Sequence, residues 1–192
     1  MKRVCDILLV LASAPFWLPL LLLTALVVLC VEGRPLFFTQ ARAGLGGKPF
    51  RIVKFRSMKS GAGTDAERLG RFGRFLRATS LDELPELLLV LTGTMSLVGP
   101  RPLPTIYLPR YSPAQARRHE VRPGITGWAQ VHGRNLLSWE DKFAYDVWYV
   151  DHRTLWLDFK ILFMTIATVF GARGIAHGGE ATMGEFKGTQ ET

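Results

Sequence analysis

Two adjacent carboxylates, Asp82 and Glu83, stand where the sequence predicts the start of an apolar helix. If Ser80 is the N-cap, Glu83 lies at the third helical position and completes a capping box. If Asp82 is the N-cap, Pro85 falls within the first turn, where its missing N–H costs nothing, and we favour this placement. In both cases the pair lies at the positive end of a helix, which lowers the pKa of a carboxyl group and attracts phosphate.

Helix capping alone would account for such a pair, so the neighbouring cations decide between a cap and a site. Pro100 and Pro102 bracket Arg101 downstream and fix the backbone on both sides of it, which suits a preorganised phosphate clamp. Upstream, arginines recur every three residues, at Arg68, Arg71, Arg74 and Arg77. Carboxylates between two groups of arginines indicate an anionic substrate and a divalent cation.

The composition favours a membrane or phosphorylated partner. The chain has 192 residues, a formal net charge of +8 and a pI of about 9.9, yet its mean hydropathy is +0.15 because the first 31 residues are apolar. Nucleic acid is disfavoured, because the basic residues lack interleaved aromatics and no known module signature occurs. The two cysteines, Cys5 and Cys30, indicate neither a disulfide framework nor a cysteine metal site.

An apolar run extends from Ile7 to Val31, long enough as a straight helix of about 37 Å to cross a bilayer. Pro15 and Pro19 argue against a simple span, because each removes a backbone hydrogen bond where no water can replace it. Broken at Pro19, the run would give two arms of about 18 Å each, too short to cross. Cations flank both ends and favour the cytoplasmic side. The run therefore predicts either an ordinary span or a re-entrant helix.

Residues 34–192 are predicted to form a small α+β domain, mostly helical with short strands. The segments 35–40 and 50–56 alternate like strands, with a glycine turn between them. The second strand carries Lys54, whose charge could face phosphate or solvent.

Several helices are predicted after these strands. The arginine-rich segment 68–77 reads as an interfacial amphipathic helix with its basic side toward anionic headgroups, although Gly70 and Gly73 weaken the helix prediction. A capped helix beginning near Ser138 carries Asp146. Asp158 then precedes an apolar run that is too short to span a membrane.

Separated blocks of the sequence together resemble the monotopic phosphoglycosyl transferases, bacterial sugar transferases that begin glycan assembly on a polyprenol carrier. The resemblance covers nearly the whole chain, from Lys2 to about Gly188. Its blocks are the apolar N terminus with a central proline and the segments 54–58, 77–85, 95–102, 122–130 and 146–149.

The resemblance implies transfer of a sugar 1-phosphate from a UDP-sugar to undecaprenyl phosphate, with release of UMP. It places residues 1–33 in the bacterial inner membrane as a re-entrant helix, with the catalytic domain on the cytoplasmic face against the lipid. Asp82 would be the nucleophile, and Asp82 and Glu83 would hold Mg²⁺, with Asp146 or Asp158 in support. The positions assigned to substrate binding are Lys54, Arg77, Pro100, Arg101, Pro102 and Arg134.

The chain departs from the family pattern at two places. Pro19 matches the proline that breaks the re-entrant helix, but Leu18 precedes it where a serine is common, so the break would rest on Pro15 and Pro19. The loop at 60–67 is shorter than usual, which puts any role of this loop in donor choice in doubt. The segment 178–183 resembles members that use N-acetylated sugars, such as UDP-diNAc-bacillosamine.

One hypothesis from another class competes with this enzyme. A single-span, basic membrane adaptor would bind anionic lipid and catalyse nothing. The acidic pair and the bracketed Arg101 argue against the adaptor, since neither is needed to bind lipid headgroups. The oligomeric state stays open, including a homodimer.

Overall fold

The computed structural model describes residues 1–59, 61, 64–133, 136–170 and 184–188. It confirms the predicted class, a mostly helical α+β chain with short strands. The helices are α1 (Lys2–Ala12), α2 (Ala14–Val31), α3 (Asp65–Arg68), α4 (Arg71–Thr79), α5 (Glu86–Thr92), α6 (Pro113–Ala116), α7 (Trp128–Val131), α8 (Trp139–His152) and α9 (Leu155–Phe170). The strands are β1 (Phe37–Ala43), β2 (Pro49–Phe55), β3 (Ser96–Val98) and β4 (Gly124–Thr126).

Two small sheets carry parts of the site. β1 and β2 form an antiparallel hairpin, as predicted, with Phe37 opposite Phe55, and β1 continues three residues beyond the predicted end. β3 and β4 pair in parallel. A Cβ at Gly99 would lie 2.4 Å from the carbonyl oxygen of Arg122, so only glycine lets the chain pass this closely as it leaves β3 toward Arg101.

The apolar run breaks at Ser13, between α1 and α2. The Ser13 hydroxyl donates to the carbonyl of Leu9 at 2.6 Å, a bond of the kind that bends helices. Pro15 falls in the first turn of α2, where its missing N–H is tolerated. Pro19 lies inside α2, which continues through it, so the expectation that the break rests on both prolines is corrected. Leu18 has no hydroxyl that could hydrogen-bond a backbone carbonyl near the break, whereas Ser13 has one and makes such a bond.

Both ends of the helix pair are fixed to the same globular unit. At the N terminus, Lys2 Nζ lies 2.6 Å from Asp158, and the Arg3 guanidinium donates to the backbone carbonyls at the end of α5. At the other end, Arg56 donates to the carbonyls of Glu32 and Arg34. The N terminus and the C-terminal end of α2 therefore contact one domain.

Two hydrophobic clusters fix the elements that carry the site. Burial of each large apolar side chain contributes roughly 1.5–3 kcal/mol to folding. The first cluster joins α1 and α2 to α5 and β3, and the second joins α2 to β2 and α4. The members of the first are Val10, Trp17, Val90 and Met95, and those of the second are Val28, Phe55 and Leu76.

Two helices, α2 and α9, expose large apolar faces on the surface of the protein. α2 is long and apolar enough to cross a membrane, and only 17% of it is buried. On α9, Trp156 and Phe163 are each 80% exposed, and Phe159 and Ile166 lie on the same helical face. Such contiguous exposed apolar surface marks a membrane or protein contact, and here it indicates association with a membrane.

Candidate active site

Asp82 and Glu83 lie in a short 3-10 turn, Leu81–Glu83, between two helices. Ser80 ends α4 in the left-handed conformation, with φ of 57°, and its side chain caps nothing in this turn. α5 begins only at Glu86, so neither predicted helix start is correct. At its other end, α5 is terminated by Gly93, which adopts the left-handed conformation with φ of 89°.

Two cations from different elements meet on one oxygen of Glu83. Glu83 Oε1 accepts a hydrogen bond of 2.5 Å from Lys54 Nζ and another of 2.5 Å from Arg101 Nη2. Lys54 comes from β2 and Arg101 from the loop after β3, so the structure brings these two predicted phosphate ligands to the acidic pair. Lys54 Nζ also lies 3.2 Å from Oε1 of the buried Glu86, without hydrogen-bond geometry.

The two adjacent carboxylates differ in their electrostatics. Burial raises the pKa of Asp82 to about 6, the charge of Glu83 adds to this, and nearby cations only partly oppose it. Burial also disfavours ionised Glu83, but the charges of Arg101 and Lys54 and their hydrogen bonds hold its pKa well below the ordinary value. The expected lowering of both pKa values by a helix terminus is therefore wrong for Asp82.

Asp82 makes fewer polar contacts than Glu83. Its side chain is buried, and within the part of the chain that the structure describes no group donates a hydrogen bond to it. Glu83 is anionic and tied to two cations, whereas Asp82 is the more basic carboxylate. Neighbouring carboxyl groups whose pKa values are pushed apart in this way are typical of catalytic pairs with separate roles.

Arg77 reaches the site because α4 packs very closely against the end of β2. A Cβ at Gly73 would lie only 1.9 Å from the carbonyl oxygen of Ser57, so the glycine that weakened the helix prediction is what permits this packing. Arg77 Nε then donates to Ser57 Oγ at 3.1 Å. The charge of Arg77 acts to lower the pKa of Asp82, which places a third predicted phosphate ligand near the pair.

The loop 100–102, which carries Arg101, is held in place by hydrogen bonds to its carbonyl groups. Two of its three residues are prolines, which have no N–H to donate. Each carbonyl accepts one hydrogen bond: Pro100 from Gly124 N at 3.0 Å, Arg101 from Arg118 Nη2 at 2.7 Å, and Pro102 from Arg42 Nη1 at 3.2 Å.

Two of the predicted metal ligands do not join the acidic pair. Asp146 accepts hydrogen bonds from Arg118, and Asp158 binds Lys2 and the Tyr149 hydroxyl. Over the described ranges, no three acidic, histidine or cysteine side chains lie close enough to hold one ion. Two hard carboxylates still fit Mg²⁺, which takes its other oxygen ligands from substrate phosphates and water.

Three residues of the site, Glu86, Arg42 and Arg118, were missed from the sequence. Glu86 could have been found, because it follows Glu83 by three residues, close to one helical turn. Arg42 and Arg118 had no local signal, since their roles depend on contacts with the distant loop 100–102. Arg134, predicted to bind substrate, lies outside the described residues, as does the segment 178–183.

His119 lines a small cavity behind this loop, with a volume of about 10 Å³. Burial, aided by the charge of Arg118, lowers the pKa of His119 to about 4. The unfolded chain binds this proton more readily, so the stabilising contribution of neutral His119 is present above its unfolded pKa of about 6.5 and is lost as the pH falls toward 4.

We therefore expect His119→Gln to reduce the decrease in unfolding free energy that occurs as the pH is lowered. Between about pH 7.5 and about pH 5, the wild type should lose roughly 1–2 kcal/mol more unfolding free energy than the variant. Thermal melts in detergent at both pH values measure this, with His152→Gln, an exposed histidine, as the control. Equal losses in the wild type and His119→Gln would contradict the expectation.

Comparison with known proteins shows the family to which this chain belongs. A sequence model of the family described as bacterial sugar transferase matches residues 1–172. The chain is 51% identical over 176 residues to the uncharacterized sugar transferase EpsL of Bacillus subtilis (strain 168), covering 88% of this chain and 87% of that protein. The chain therefore belongs to the bacterial sugar transferase family, which confirms the resemblance.

Two further relatives carry names that state a reaction. The chain is 41% identical over 184 residues to a UDP-glucose:undecaprenyl-phosphate glucose-1-phosphate transferase of Caulobacter vibrioides, covering 88% of this chain and 69% of that protein. It is 40% identical over 189 residues to a UDP-N-acetylgalactosamine-undecaprenyl-phosphate N-acetylgalactosaminephosphotransferase of Aeromonas hydrophila, covering 90% of this chain but 45% of that protein. Several relatives are longer than the matched region, and the chain covers 38%, 45% and 39% of three of them.

Proposed function

We propose that this chain transfers a sugar 1-phosphate from a UDP-sugar to undecaprenyl phosphate and releases UMP. The observation that carries the proposal is the contrast between Asp82, basic and without a hydrogen-bond donor among the described residues, and Glu83, tied to Lys54 and Arg101. In such a pair, Asp82 can act as the nucleophile, and the cations that contact Glu83 can bind phosphate. The names of the relatives support the same donor and acceptor.

The reaction proceeds in two displacements. In the first, an Asp82 carboxylate oxygen bonds to the phosphorus that carries the sugar, the bond from that phosphorus to the bridging oxygen breaks, and UMP leaves with the electron pair. In the second, a phosphate oxygen of undecaprenyl phosphate bonds to the same phosphorus and Asp82 is released. Lys54, Arg77 and Arg101 stabilise the charge on the transferring group.

Mg²⁺ is proposed as the cation that this site uses. When bound, it would neutralise charge on the diphosphate and reduce the repulsion between substrate and enzyme carboxylates. Asp82 and Glu83 would hold it, because hard carboxylate oxygens suit this ion. Asp146 and Asp158 are not included, since both have other partners in the fold.

The membrane arrangement is proposed to be re-entrant, with both ends of residues 1–33 and the catalytic domain, residues 34–192, on the cytoplasmic face of the inner membrane. Support comes from Lys2 and Arg3, whose contacts with Asp158 and with the end of α5 are those expected when the N terminus lies on the same side as the domain. The exposed faces of α2 and α9 would lie in lipid.

Thiol labelling tests this topology. With Cys5 and Cys30 replaced by alanine, single cysteines are inserted after Met1 or placed at the exposed Arg34, in separate variants. Neither should react with a membrane-impermeant reagent in intact cells, and both should react once the cells are opened. Labelling of the N-terminal cysteine alone in intact cells would mean an ordinary span.

The function itself is tested by product release. Purified protein with Mg²⁺ and undecaprenyl phosphate is given a panel of UDP-sugars, including glucose, galactose, N-acetylgalactosamine and diNAc-bacillosamine donors, and UMP is measured. At least one donor should release UMP in an acceptor-dependent manner at steady state. Failure of every donor, with intact binding to anionic vesicles, would support the non-catalytic adaptor instead.

A further inference from the structure

A buried ion pair lies directly behind the loop that carries Arg101. The side chains of Arg118 and Asp146 are only 1% and 2% exposed. Arg118 donates to Asp146 Oδ2 twice, from Nε at 3.1 Å and from Nη2 at 2.7 Å. A pair removed this far from water is tolerated only when its other hydrogen-bonding groups are satisfied, so the remaining contacts of Arg118 are informative.

Those contacts fix the guanidinium and direct it to the loop. Nη2 also donates to the carbonyl oxygen of Arg101 at 2.7 Å, and Nη1 donates to the Tyr111 hydroxyl at 3.2 Å. The rings of Tyr111 and Phe143 lie 5.7 and 5.5 Å from the guanidinium carbon. Asp146 and the two rings therefore leave Arg118 one orientation, in which it holds the backbone of Arg101.

This hold matters because the loop 100–102 is fixed through its three carbonyl groups, and Arg101 contributes the central one. Pro100 and Pro102 donate no backbone hydrogen bonds, so the carbonyl of Arg101 is one of the groups through which the loop can be fixed. From that backbone, the Arg101 side chain extends to Glu83, with Nη2 2.5 Å from Oε1. A shift of the backbone would move the guanidinium away from Glu83.

We propose that Arg118, held by Asp146, is a positioning residue that sets Arg101 against Glu83 and the donor diphosphate. The proposal rests on the proposed function and deepens it. It gives Asp146 a role in orienting a phosphate ligand, without contact with substrate or metal. Arg118 acts through Arg101, so its loss should have no effect where Arg101 is already absent.

A double-mutant cycle tests that dependence. Asp146→Asn should lower kcat/KM for the UDP-sugar by about 10- to 100-fold, since a displacement of about 1 Å at a catalytic group has this effect. In an Arg101→Ala background it should add less than about twofold. The Mg²⁺ concentration for half-maximal activity should not change. A merely structural role would instead give multiplicative losses in the two backgrounds, which would overturn the proposal.

The matched control is the neighbouring surface pair. Arg117 and Asp151 join the same two segments, the 3-10 turn Arg117–Glu120 and α8, at 2.5 Å, with both side chains 42% exposed. Asp151→Asn should leave kcat/KM within about twofold, because exposed pairs contribute little. An equal loss in both variants would count against a specific role for Asp146.

A second readout does not need activity. The amides of Ala43, Gly99 and Gly124 donate to the carbonyls of Leu103, Thr126 and Pro100, so their hydrogen exchange reports on the loop. Exchange of these amides should accelerate at least about tenfold in Asp146→Asn and stay unchanged in Asp151→Asn. If Asp146→Asn does not fold, Tyr111→Phe, which removes one contact of Arg118, should show a smaller acceleration. Unchanged exchange in a folded variant would overturn the proposal. If the wild type turns over no donor, the proposed function fails, and the exchange experiment still decides whether Arg118 holds the loop.

Discussion

Asp82→Asn is expected to lower the rate of UMP release at least about 10³-fold, because it removes the attacking carboxylate itself. The substitution keeps the size of the side chain and its ability to accept hydrogen bonds. Steady-state UMP release, with the donor found active for the wild type, measures the effect. Near-normal turnover would mean that Asp82 is not the nucleophile.

The same variant should not be less stable than the wild type, which separates loss of chemistry from loss of fold. The raised pKa of Asp82, about 6, means that its protonated form is favoured in the folded chain. The contribution of Asp82 to stability is therefore present below its unfolded pKa and is lost as the pH rises through about 6. At about pH 8 the wild-type Asp82 is ionised and has lost this contribution to stability, whereas asparagine does not ionise. The thermal midpoint of Asp82→Asn should therefore equal or exceed that of the wild type. A large decrease in the midpoint would make the activity result uninterpretable as chemistry, and Asp82→Ser would then replace it.

Removal of divalent cations is expected to abolish turnover, and Glu83→Gln should raise the Mg²⁺ concentration for half-maximal activity by about tenfold or more. The reason is that the adjacent carboxylates must meet a diphosphate, and Glu83 supplies one of the two hard ligands. Titration of UMP release with Mg²⁺ after treatment with chelator measures both effects. Full activity in excess EDTA would contradict the magnesium proposal.

Glu86→Gln is the matched control for the magnesium titration. Glu86 shares Lys54 with Glu83 but is 2% exposed and begins α5, one turn further along the chain. Its loss should leave the Mg²⁺ requirement unchanged even if it alters the rate. A similar increase in the Mg²⁺ requirement for both variants would show that the two carboxylates act through Lys54 rather than through the metal.

Much of the fold followed from local patterns. The hairpin of β1 and β2 was predicted because alternating side chains and a glycine turn are properties of adjacent residues. The acidic pair, Lys54 and Arg101 were recognised as site candidates, and the structure brings Lys54 and Arg101 within hydrogen-bond distance of Glu83. Local charge and turn chemistry were sufficient for these residues.

The remaining features depend on contacts between distant parts of the chain. The 3-10 turn at Asp82 replaces the predicted helix start, and the raised pKa of Asp82 arises first from burial, which the sequence around it does not encode. Arg118 looks like any other basic residue until Asp146 and the carbonyl of Arg101 are placed around it.

The most direct test of the central claim is a single-turnover experiment with the UDP-sugar and Mg²⁺ but without undecaprenyl phosphate. Rapid quenching should show about one equivalent of UMP per protein, together with a sugar phosphate attached to the peptide that contains Asp82, identified by mass spectrometry. Adding undecaprenyl phosphate should then discharge the adduct. UMP release that occurs only when the acceptor is present, with Asp82 never modified, would contradict the covalent mechanism and indicate direct transfer between the two bound substrates.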